Sequence, residues 1–309
     1  DTEDCPTLAD IEEARKVADY LGLPFHTFDF REEYEKRIVN YIYEGYQKGL
    51  TPNPDILCNN LVKFDCFLEE ALEYGFDKIA TGHYARIEEK DGLFHLLKGV
   101  DPNKDQTYFL SRLNQFQLSH ALFPIGHLTK PEVREIARKA GLPNAERKDS
   151  QGLCFIGKVS MKEFLEKRLP KKPGNILDTN GKVLGQHEGA FSYTIGQRKG
   201  IQVGGGPALF VIAKDIAKNT ITVGTEAELE LYSSELTAID WHWVTESQEF
   251  PFRARAKIRY RQEDQNIECL QDSEDRVRIR FDTKQRAITS GQTIAVYDGN
   301  KLIASGIIE

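Results

Sequence analysis

The chain has 309 residues, of which 40% are hydrophobic and 29% charged, and it carries a formal net charge of -7. It has no apolar stretch near the roughly 18 residues that a membrane-spanning helix needs, which excludes a helical membrane protein, and its length predicts two or three domains. We expect a soluble, cytoplasmic protein without a membrane partner, in which any contact with nucleic acid depends on local clusters of Lys and Arg.

The first half of the chain alternates helical and extended patterns. Apolar residues at helical spacing predict helices, and short apolar runs between them predict strands. Thr129 and Glu132 have the spacing of a capping box in front of the last of these helices. Such alternation favours a doubly wound parallel sheet. The predicted helices cover 8–21, 32–47, 56–74 and 130–140, and the predicted strands cover 25–30 and 78–87.

The second half is predicted to be mostly β-structure. One short helix follows Ser160, and after Pro170 the helical periods disappear. Turn pairs such as Asn180-Gly181 and Asp298-Gly299 then separate short β-rich runs. A boundary near residue 230 leaves about 80 residues, which is enough for a small barrel or sandwich.

The segment 51–59, Thr-Pro-Asn-Pro-Asp-Ile-Leu-Cys-Asn, is a candidate reactive site. Its two prolines stiffen the backbone before a helix, which predicts Asp55 at the N-cap and Cys58 in the first turn. The helix dipole there stabilises a thiolate, and Asp55 could accept the thiol proton as a general base. The alternative is structural, because most cysteines are small buried hydrophobes and an Asp before a helix is usually only a cap.

Cys154 lies in a second unusual segment, Gly152 to Gly157, where glycines flank a thiol with apolar neighbours. This pattern fits a loop that closes over a site, although apolar surroundings raise a thiol pKa and often mark an inert cysteine. Cys66 and Cys269 are interpreted as packing residues. The five cysteines are odd in number and include no C-x-x-C, which argues against a disulfide framework and predicts no protein-bound metal.

Two further features suggest ligands. Gly82, in Thr81-Gly82-His83-Tyr84, follows an apolar strand, and ligands bind at the carboxyl ends of strands in open α/β sheets. An ordinary strand-to-loop turn would look similar. Basic residues alternate from Arg253 to Arg261, as on one face of a strand, and are candidates for phosphate contact or for a solvated face.

Together these segments resemble the tRNA-specific 2-thiouridylases (the MnmA/TrmU family) over essentially the whole chain. Several long motifs in one order are far more specific than any one of them. The motifs that carry the resemblance are Asn53-Pro54-Asp55 with Cys58, Thr81-Gly82-His83-Tyr84, Lys104-Asp105-Gln106, Gly152 to Gly157 around Cys154, and Ile195-Gly196-Gln197-Arg198-Lys199-Gly200.

The resemblance implies a fold of three parts in the class α/β plus β. We expect an ATP-pyrophosphatase-type (adenine nucleotide alpha hydrolase-like) parallel-sheet domain at 1–165. A small central β-rich domain that contacts tRNA follows at 166–229, and a C-terminal β-barrel at 230–309.

The resemblance also implies a chemistry, in which ATP, with Mg²⁺, adenylates the C2 oxygen of the flipped-out wobble uridine of tRNA. Sulfur then arrives as a persulfide on Cys154 from a sulfur-relay protein or a cysteine desulfurase. Either its terminal sulfur attacks the activated carbon with help from Cys58, or Cys58 releases hydrogen sulfide that attacks. Both routes end in a Cys58–Cys154 disulfide, which cellular reductants reset.

The resemblance assigns roles to further residues. Cys58 is the nucleophile and Asp55 its general base, and Gly82 contacts ATP. The residues Asn53, Pro54 and Asp55 contact the target base. The residues Lys104, Asp105, Gln106, Arg259 and Tyr260 contact the tRNA.

One departure from the family pattern concerns the phosphate loop. The family's Ser-Gly-Gly-x-Asp-Ser motif is absent from this sequence, and no other glycine-rich segment replaces it near the N-terminus. Because the chain does not begin with Met, we expect it to start inside a longer reading frame and to be inactive as it stands. The rival interpretation is a non-catalytic tRNA-binding paralogue that lost adenylation, and a thiol redox protein is weaker because C-x-x-C is missing.

Overall fold

The fold is described from a computed structural model. It describes residues 6–147, 160–201, 203–204, 206–228, 231–273 and 275–309. Two compact units result, the first comprising 1–38, 54–160 and 300–302, and the second 39–53, 161–299 and 303–309. Among the described residues, no helix is both long and apolar enough to cross a bilayer.

The helices of the first half lie where the apolar spacing predicts them, but two of them contain π-helical turns. The helical segments are α1 (Pro6–Leu21), α2 (Arg31–Tyr34), π1 (Glu35–Val39), α3 (Asn40–Gln47), α4 (Pro54–Cys58), π2 (Asn59–Cys66) and α5 (Phe67–Glu73). A 3₁₀ turn (Thr107–Leu110), α6 (Gln115–Ser119), α7 (Lys130–Lys139) and α8 (Met161–Glu166) follow. The predicted capping box is confirmed, since the backbone N–H of Thr129 donates to Glu132 at 2.7 Å.

The first unit contains a short parallel pair, which confirms the predicted parallel sheet. Strand β1 (Ile79–Ala80) pairs in parallel with β4 (Ala121–Leu122). An antiparallel hairpin, β2 (Ala85–Lys90) and β3 (Leu93–Lys98), follows β1. The single strand predicted over 78–87 is therefore two strands, interrupted at the segment that carries Gly82.

The prediction of a strand over 25–30 is wrong, because residues 25–30 form neither a helix nor a strand in the described structure. Its half-buried rings pack instead on the helical side: Phe28 lies 5.9 Å from the ring of Phe67 and 5.4 Å from that of Tyr74. Alternating apolar residues show which side is buried, but a strand also needs a hydrogen-bonding neighbour.

The second unit is β-rich, as predicted. Its first sheet has the order β6-β5-β8-β7. The strands of this sheet are β5 (Gly174–Leu177), β6 (Val183–His187), β7 (Phe210–Asp215) and β8 (Thr220–Gly224), with a 3₁₀ turn at Ala190–Ser192.

A closed six-stranded barrel completes the second unit. Its strand order is β13-β10-β11-β12-β9-β14, and pairing of β13 with β14 closes it. Its interior is apolar, with Ile267, Ile279 and Ile294 fully buried. The strands are β9 (Tyr232–Trp243), β10 (Phe252–Lys257), β11 (Gln265–Gln271), β12 (Arg276–Arg286), β13 (Thr293–Asp298) and β14 (Lys301–Ile308).

Candidate functional site

Helix α4 begins two residues earlier than the predicted start at Ile56. Pro54 is the first helical residue, so Asp55 lies inside the first turn and the predicted N-cap position for Asp55 is wrong. Proline suits the first helical position because its missing N–H has no partner there anyway and its φ is already helical. Asp55 and Cys58 remain three residues apart, which places them on one face of the helix. Cys58 is the last residue of α4 and is fully buried.

A π-helix, π2, begins at the residue after Cys58. Asn59 is 3% exposed and its Nδ2 donates to the carbonyl of Phe109 at 3.1 Å, while its Oδ1 has no hydrogen-bond partner among the described residues. Arg37 donates to the carbonyl of Leu61 at 3.2 Å and pairs with Asp65, which holds the π-helix from outside. π-Helical turns are rare and are often found at functional sites.

Gly82 lies at the carboxyl end of β1, the position at which open sheets bind ligands. It is exposed, and a Cβ built on it meets no atom within 4 Å. The backbone around it is held on the side of β4, since the N–H of Thr81 donates to the carbonyl of Leu122 at 3.0 Å. A ligand can therefore approach the backbone at Gly82 closely.

His83, next to Gly82, is buried and is kept neutral. Its ring packs between Phe64 of π2, with centroids 6.0 Å apart, and Phe123, at 5.8 Å. Burial, and then the positive charge of Lys63, lower the pKa of His83 to about 3. At physiological pH this side chain is a hydrogen-bonding group and not a cation.

The loop with Lys104, Asp105 and Gln106 is built around a buried carboxylate. Asp105 is 6% exposed, and its Oδ1 accepts from the N–H of Gly99 at 3.2 Å and from the hydroxyl of Thr107 at 2.9 Å. The side-chain oxygen of Gln106 accepts from the backbone N–H of Tyr84 at 2.9 Å, and the backbone N–H of Gln106 donates to the carbonyl of Tyr84 at 3.0 Å. Asp105 thus holds the loop together, and Gln106 fixes it to the chain that follows Gly82.

Three predicted segments therefore meet in the first unit. Phe64 joins π2 to the strand end at His83, Asn59 joins it to the 3₁₀ turn after the Lys104 loop, and Gln106 joins that loop to Tyr84. None of these contacts is visible in the sequence as a local pattern. Asn59 was not singled out by sequence reasoning, and the only signal was its position beside Cys58.

Cys154 lies outside the described residues, so the structure gives no geometry for its segment. The other two cysteines of the described chain are buried, and burial raises the pKa of Cys66 and raises the pKa of Cys269 to about 12. Both thiols stay protonated at neutral pH. No group of three His, Cys, Asp or Glu side chains in the described part of the chain is placed to hold a metal ion.

Arg259 and Tyr260 lie in the second unit, beyond the end of a barrel strand. β10 ends at Lys257, so the predicted basic strand face holds for Arg253, Arg255 and Lys257 and is wrong for Arg259 and Arg261. The strand curves into a turn, and Arg261 has a positive φ of 64° with its guanidinium 5.4 Å from the ring of Tyr260. Arg259 donates from Nη2 to the carbonyl of Ala287 at 2.9 Å.

Two neighbouring cavities share the Arg259 side chain, with volumes of about 420 and 440 Å³. The first joins the Ile195-Gly196-Gln197 motif to the barrel, and the second is rich in cations. The first is lined by Thr194, Ile195, Gly196, Gln197, Ile258, Arg259, Arg286, Ala287, Thr289 and Gln292. The second is lined by Tyr232, Arg259, Tyr260, Arg261, Gln262, Gln265, Lys284, Gln285 and Arg286.

Thr51, which opens the segment with Asn53, packs against the wall of the first cavity. Its carbonyl accepts from Gln292 Nε2 at 2.6 Å, and its Oγ1 lies 3.4 Å from Oγ1 of Thr194. Sequence reasoning missed Gln292 and Arg286. The one available signal was Ser290-Gly291, a turn pair directly before Gln292.

Family models match three successive parts of the chain. Residues 1–158 match the family described as tRNA methyl transferase HUP domain, residues 162–225 the tRNA methyl transferase PRC-barrel domain, and residues 233–308 the aminomethyltransferase beta-barrel domain. These matches agree with the predicted fold class of a parallel-sheet domain, a central β-rich domain and a C-terminal barrel.

Relatives that match nearly the whole chain include proteins named tRNA-specific 2-thiouridylase MnmA. The protein of that name from Alkaliphilus oremlandii is 45% identical over 99% of this chain and 85% of its own length. The one from Akkermansia muciniphila is 47% identical over 99% of this chain and 87% of its own length. The one from Geobacillus thermodenitrificans is 44% identical over 99% of this chain and 83% of its own length. The resemblance predicted from the motifs is confirmed, and the chain belongs to the family of tRNA-specific 2-thiouridylases.

Proposed function

We propose that this chain is the catalytic and tRNA-binding body of a tRNA-uridine 2-sulfurtransferase, which forms 2-thiouridine at the anticodon wobble position. The chain belongs to the family, and its first unit brings together the Cys58 helix, the open strand end at Gly82 and the Lys104–Gln106 loop. This convergence is the observation that carries the proposal. Nothing observed favours the non-catalytic alternative or a thiol redox protein.

The target base is proposed to bind at Asn53, Pro54 and Asp55. The prolines at 52 and 54 restrict the backbone, so the segment loses little conformational entropy when an extruded base enters. Reading an extruded base requires a preformed pocket, because unstacking already costs a few kcal/mol. The tRNA is proposed to contact the loop of Lys104, Asp105 and Gln106 in the first unit. In the second unit it is proposed to contact Arg259 and Tyr260, where the two cavities offer guanidinium groups.

The residues present fit part of an ATP site. Gly82 leaves room for close approach at a strand end, and neutral His83 beside it can donate or accept a hydrogen bond. ATP, accompanied by Mg²⁺, supplies adenylation of the uridine C2 oxygen and so makes that oxygen a leaving group. A triphosphate also needs several converging N–H donors at a helix N-terminus, and this sequence has no Ser-Gly-Gly-x-Asp-Ser loop to provide them. We therefore propose that the chain as printed is inactive.

Sulfur transfer is proposed to use two cysteines of the chain. A sulfur-relay protein or a cysteine desulfurase loads Cys154 as a persulfide. Asp55 accepts the thiol proton of Cys58, and the Cys58 thiolate attacks Sγ of Cys154. The bond between that Sγ and the terminal sulfur breaks, the terminal sulfur leaves with the electron pair as sulfide, and a Cys58–Cys154 disulfide forms. Sulfide attacks C2 and displaces AMP, and a cellular thiol reduces the disulfide.

The two steps can also occur in the reverse order. The terminal sulfur of the persulfide can instead attack C2 while still bound to Cys154, with Cys58 then breaking the sulfur–sulfur bond. Both orders consume the same two thiols and give the same disulfide. We also propose the domain boundaries 1–165, 166–229 and 230–309, with the thiol chemistry in the first domain.

The experiment that tests the proposed function is complementation. The full gene product is expressed in a bacterial strain that lacks its own thiouridylase, and 2-thiouridine in digested tRNA is measured by mass spectrometry. Wild type should restore the nucleoside, and Cys58→Ser should restore none. A matched control is Cys269→Ala, which removes a buried thiol from the barrel interior. Full 2-thiouridine levels with Cys58→Ser would overturn the assignment of the nucleophile.

A further inference from the structure

The chain passes from the second unit to the first inside the proposed target-base motif. The second unit includes residues 39–53, and the first resumes at Pro54. Asn53 is the last residue of the segment 39–53, which belongs to the unit that carries the barrel. The residues that hold the chain just before Asn53 decide where the motif begins.

A single turn of the barrel satisfies both backbone polar groups of Thr51. The N–H of Thr51 donates to the carbonyl of Ser290 at 2.8 Å, and its carbonyl accepts from Nε2 of Gln292 at 2.6 Å. Thr51 is 8% exposed, so water does not compete freely for these groups. Buried backbone groups that lose their partners are costly, typically by about 1–3 kcal/mol.

The turn itself is fixed to the last strand of the barrel. The N–H of Gly291 donates to the carbonyl of Ile308 at 2.8 Å, and the N–H of Ile308 donates to the carbonyl of Gln292 at 2.8 Å. The hydroxyl of Ser290 donates to the carbonyl of Glu309 at 2.9 Å. With three bonds to one strand end, the turn cannot move away from Thr51 without breaking strand pairing.

At Gly291 the barrel turn packs tightly against Leu50 and Thr51. Its φ of +88° is in the region that favours glycine, and a Cβ there would lie 2.8 Å from the Thr51 nitrogen and 2.9 Å from Cβ of Leu50. The first of these neighbours is backbone, which has no rotamer to change. Because the turn is fixed, an added methyl group must displace the chain at Thr51.

A second glycine holds the same segment from helix α3. A Cβ on Gly45 would lie 2.3 Å from Cγ of Pro52. The proline ring is covalently locked to the backbone, so it cannot swing aside as a flexible side chain would. Thr51 and Pro52 are thus enclosed by two glycine contacts, one from the barrel turn and one from the helix.

We propose that Gly291 is a positioning residue for base capture: its missing side chain lets the barrel turn hold Thr51 so that Asn53 meets the wobble uridine. The proposal rests on the proposed function, in which Asn53 to Asp55 contact the target base. A displacement of about 1 Å at such a loop can cost on the order of a hundredfold in rate, so a side chain at 291 acts on turnover and not on tRNA affinity.

The test compares Gly291→Ala with Gly299→Ala. Gly299 also has positive φ, +59°, and lies in a turn beside the same last strand, but a Cβ on it meets nothing within 4 Å. Both variants carry the strain of a left-handed alanine, and only the first pushes Thr51. A second variant, Gly45→Ala, raises helix propensity by about 1 kcal/mol, so a defect in it reports the contact with Pro52 and not a weaker helix.

Three readouts are measured on the full gene product. Amide hydrogen exchange of a peptide spanning 50–55 reports Leu50, Thr51, Asn53 and Asp55. An anticodon stem-loop with 2-aminopurine beside the wobble uridine reports extrusion of the target base by its fluorescence. Single-turnover thiolation and tRNA Kd separate turnover from affinity. We expect faster exchange, a smaller fluorescence rise and about tenfold to hundredfold slower thiolation for Gly291→Ala and Gly45→Ala, with Kd within about twofold.

Two outcomes would overturn the proposal. One is that Gly291→Ala matches Gly299→Ala in exchange and fluorescence. The other is that exchange at 50–55 rises while fluorescence and turnover stay at wild-type values. If the wild-type protein binds the stem-loop but forms no 2-thiouridine, only the proposed function is contradicted. Exchange and fluorescence then still compare Gly291→Ala with Gly299→Ala and so still test the role of Gly291.

Discussion

Nδ1 of His83 lies 2.7 Å from Oγ1 of Thr81, one residue on either side of the glycine that we assign to ATP. The hydrogen bond crosses Gly82 and fixes the backbone on both of its sides. Since the ring is buried between Phe64 and Phe123, protonation would place a charge where water cannot solvate it. The open position at Gly82 is thus supported by a neutral imidazole.

The first prediction is that His83 makes the fold acid-sensitive. The pKa of His83 is about 3 in the folded protein, against 6.5 for an ordinary histidine, so between these values the unfolded chain binds a proton that the folded chain does not. Stability is therefore fully present above pH 6.5 and is lost as the pH falls toward 3, at up to about 1.4 kcal/mol per pH unit.

Urea unfolding of wild type and His83→Gln from pH 7 to pH 4 measures this effect. The difference in unfolding free energy between the two proteins should shrink as the pH falls. The matched control is His26→Gln, which alters an exposed histidine. A difference for His83→Gln that does not change with pH would contradict a buried, neutral imidazole.

Much of the local architecture follows from the sequence, because helices and turns depend on neighbouring residues. The capping box at Thr129 is such a case. The predicted start of α4 is wrong by two residues because Asp55 is a good cap, yet Pro54 is an equally good first residue. The contact of Thr51 with Gln292 joins residues separated by 241 positions, and no period or turn signal encodes such a pairing. Burial of His83 likewise depends on aromatic rings that only the fold brings together.

The second prediction concerns which of the two thiols carries the sulfur. In Cys58→Ser, Cys154 keeps its persulfide after loading by a cysteine desulfurase, because the thiol that releases the sulfur is gone. Intact-protein mass spectrometry should show the mass of one extra sulfur on Cys58→Ser, removed by a reductant, and none on Cys154→Ser. Cys66→Ala is the control, since that buried thiol should not matter. A persulfide on Cys154→Ser would mean that sulfur is carried elsewhere.

The third prediction is that tRNA binding depends on local Arg and Lys side chains, although the net charge of the chain is -7. Replacing Arg259 with Ala removes one guanidinium shared by both cavities. The slope of log K against log salt should become shallower by about 0.7 to 0.9 for each phosphate that the protein no longer neutralises. Lys104→Ala should add a second, similar change.

Filter binding at several salt concentrations measures these slopes. The control is Arg280→Ala, which removes an exposed barrel arginine whose charge is already paired with Glu235 and Glu268. Its slope should equal that of wild type. An unchanged slope for Arg259→Ala would remove that residue from the RNA surface, and an equally shallow slope for Arg280→Ala would mean that net charge matters more than position.

The last prediction is that residues 1–309, as printed, bind no ATP at micromolar concentration and do not thiolate tRNA. A triphosphate carries charges that only several converging N–H groups and a helix N-terminus can solvate in place of water. Gly82 supplies one open backbone position, which is too few donors to hold a triphosphate. The test is calorimetry with ATP on this chain and on a longer chain that carries a Ser-Gly-Gly-x-Asp-Ser segment ahead of Asp1. We expect heat of binding from the longer chain only, and Gly82→Val in that chain should weaken it by blocking close approach. Binding of equal strength by the printed chain would show that the nucleotide site lies elsewhere in residues 1–309.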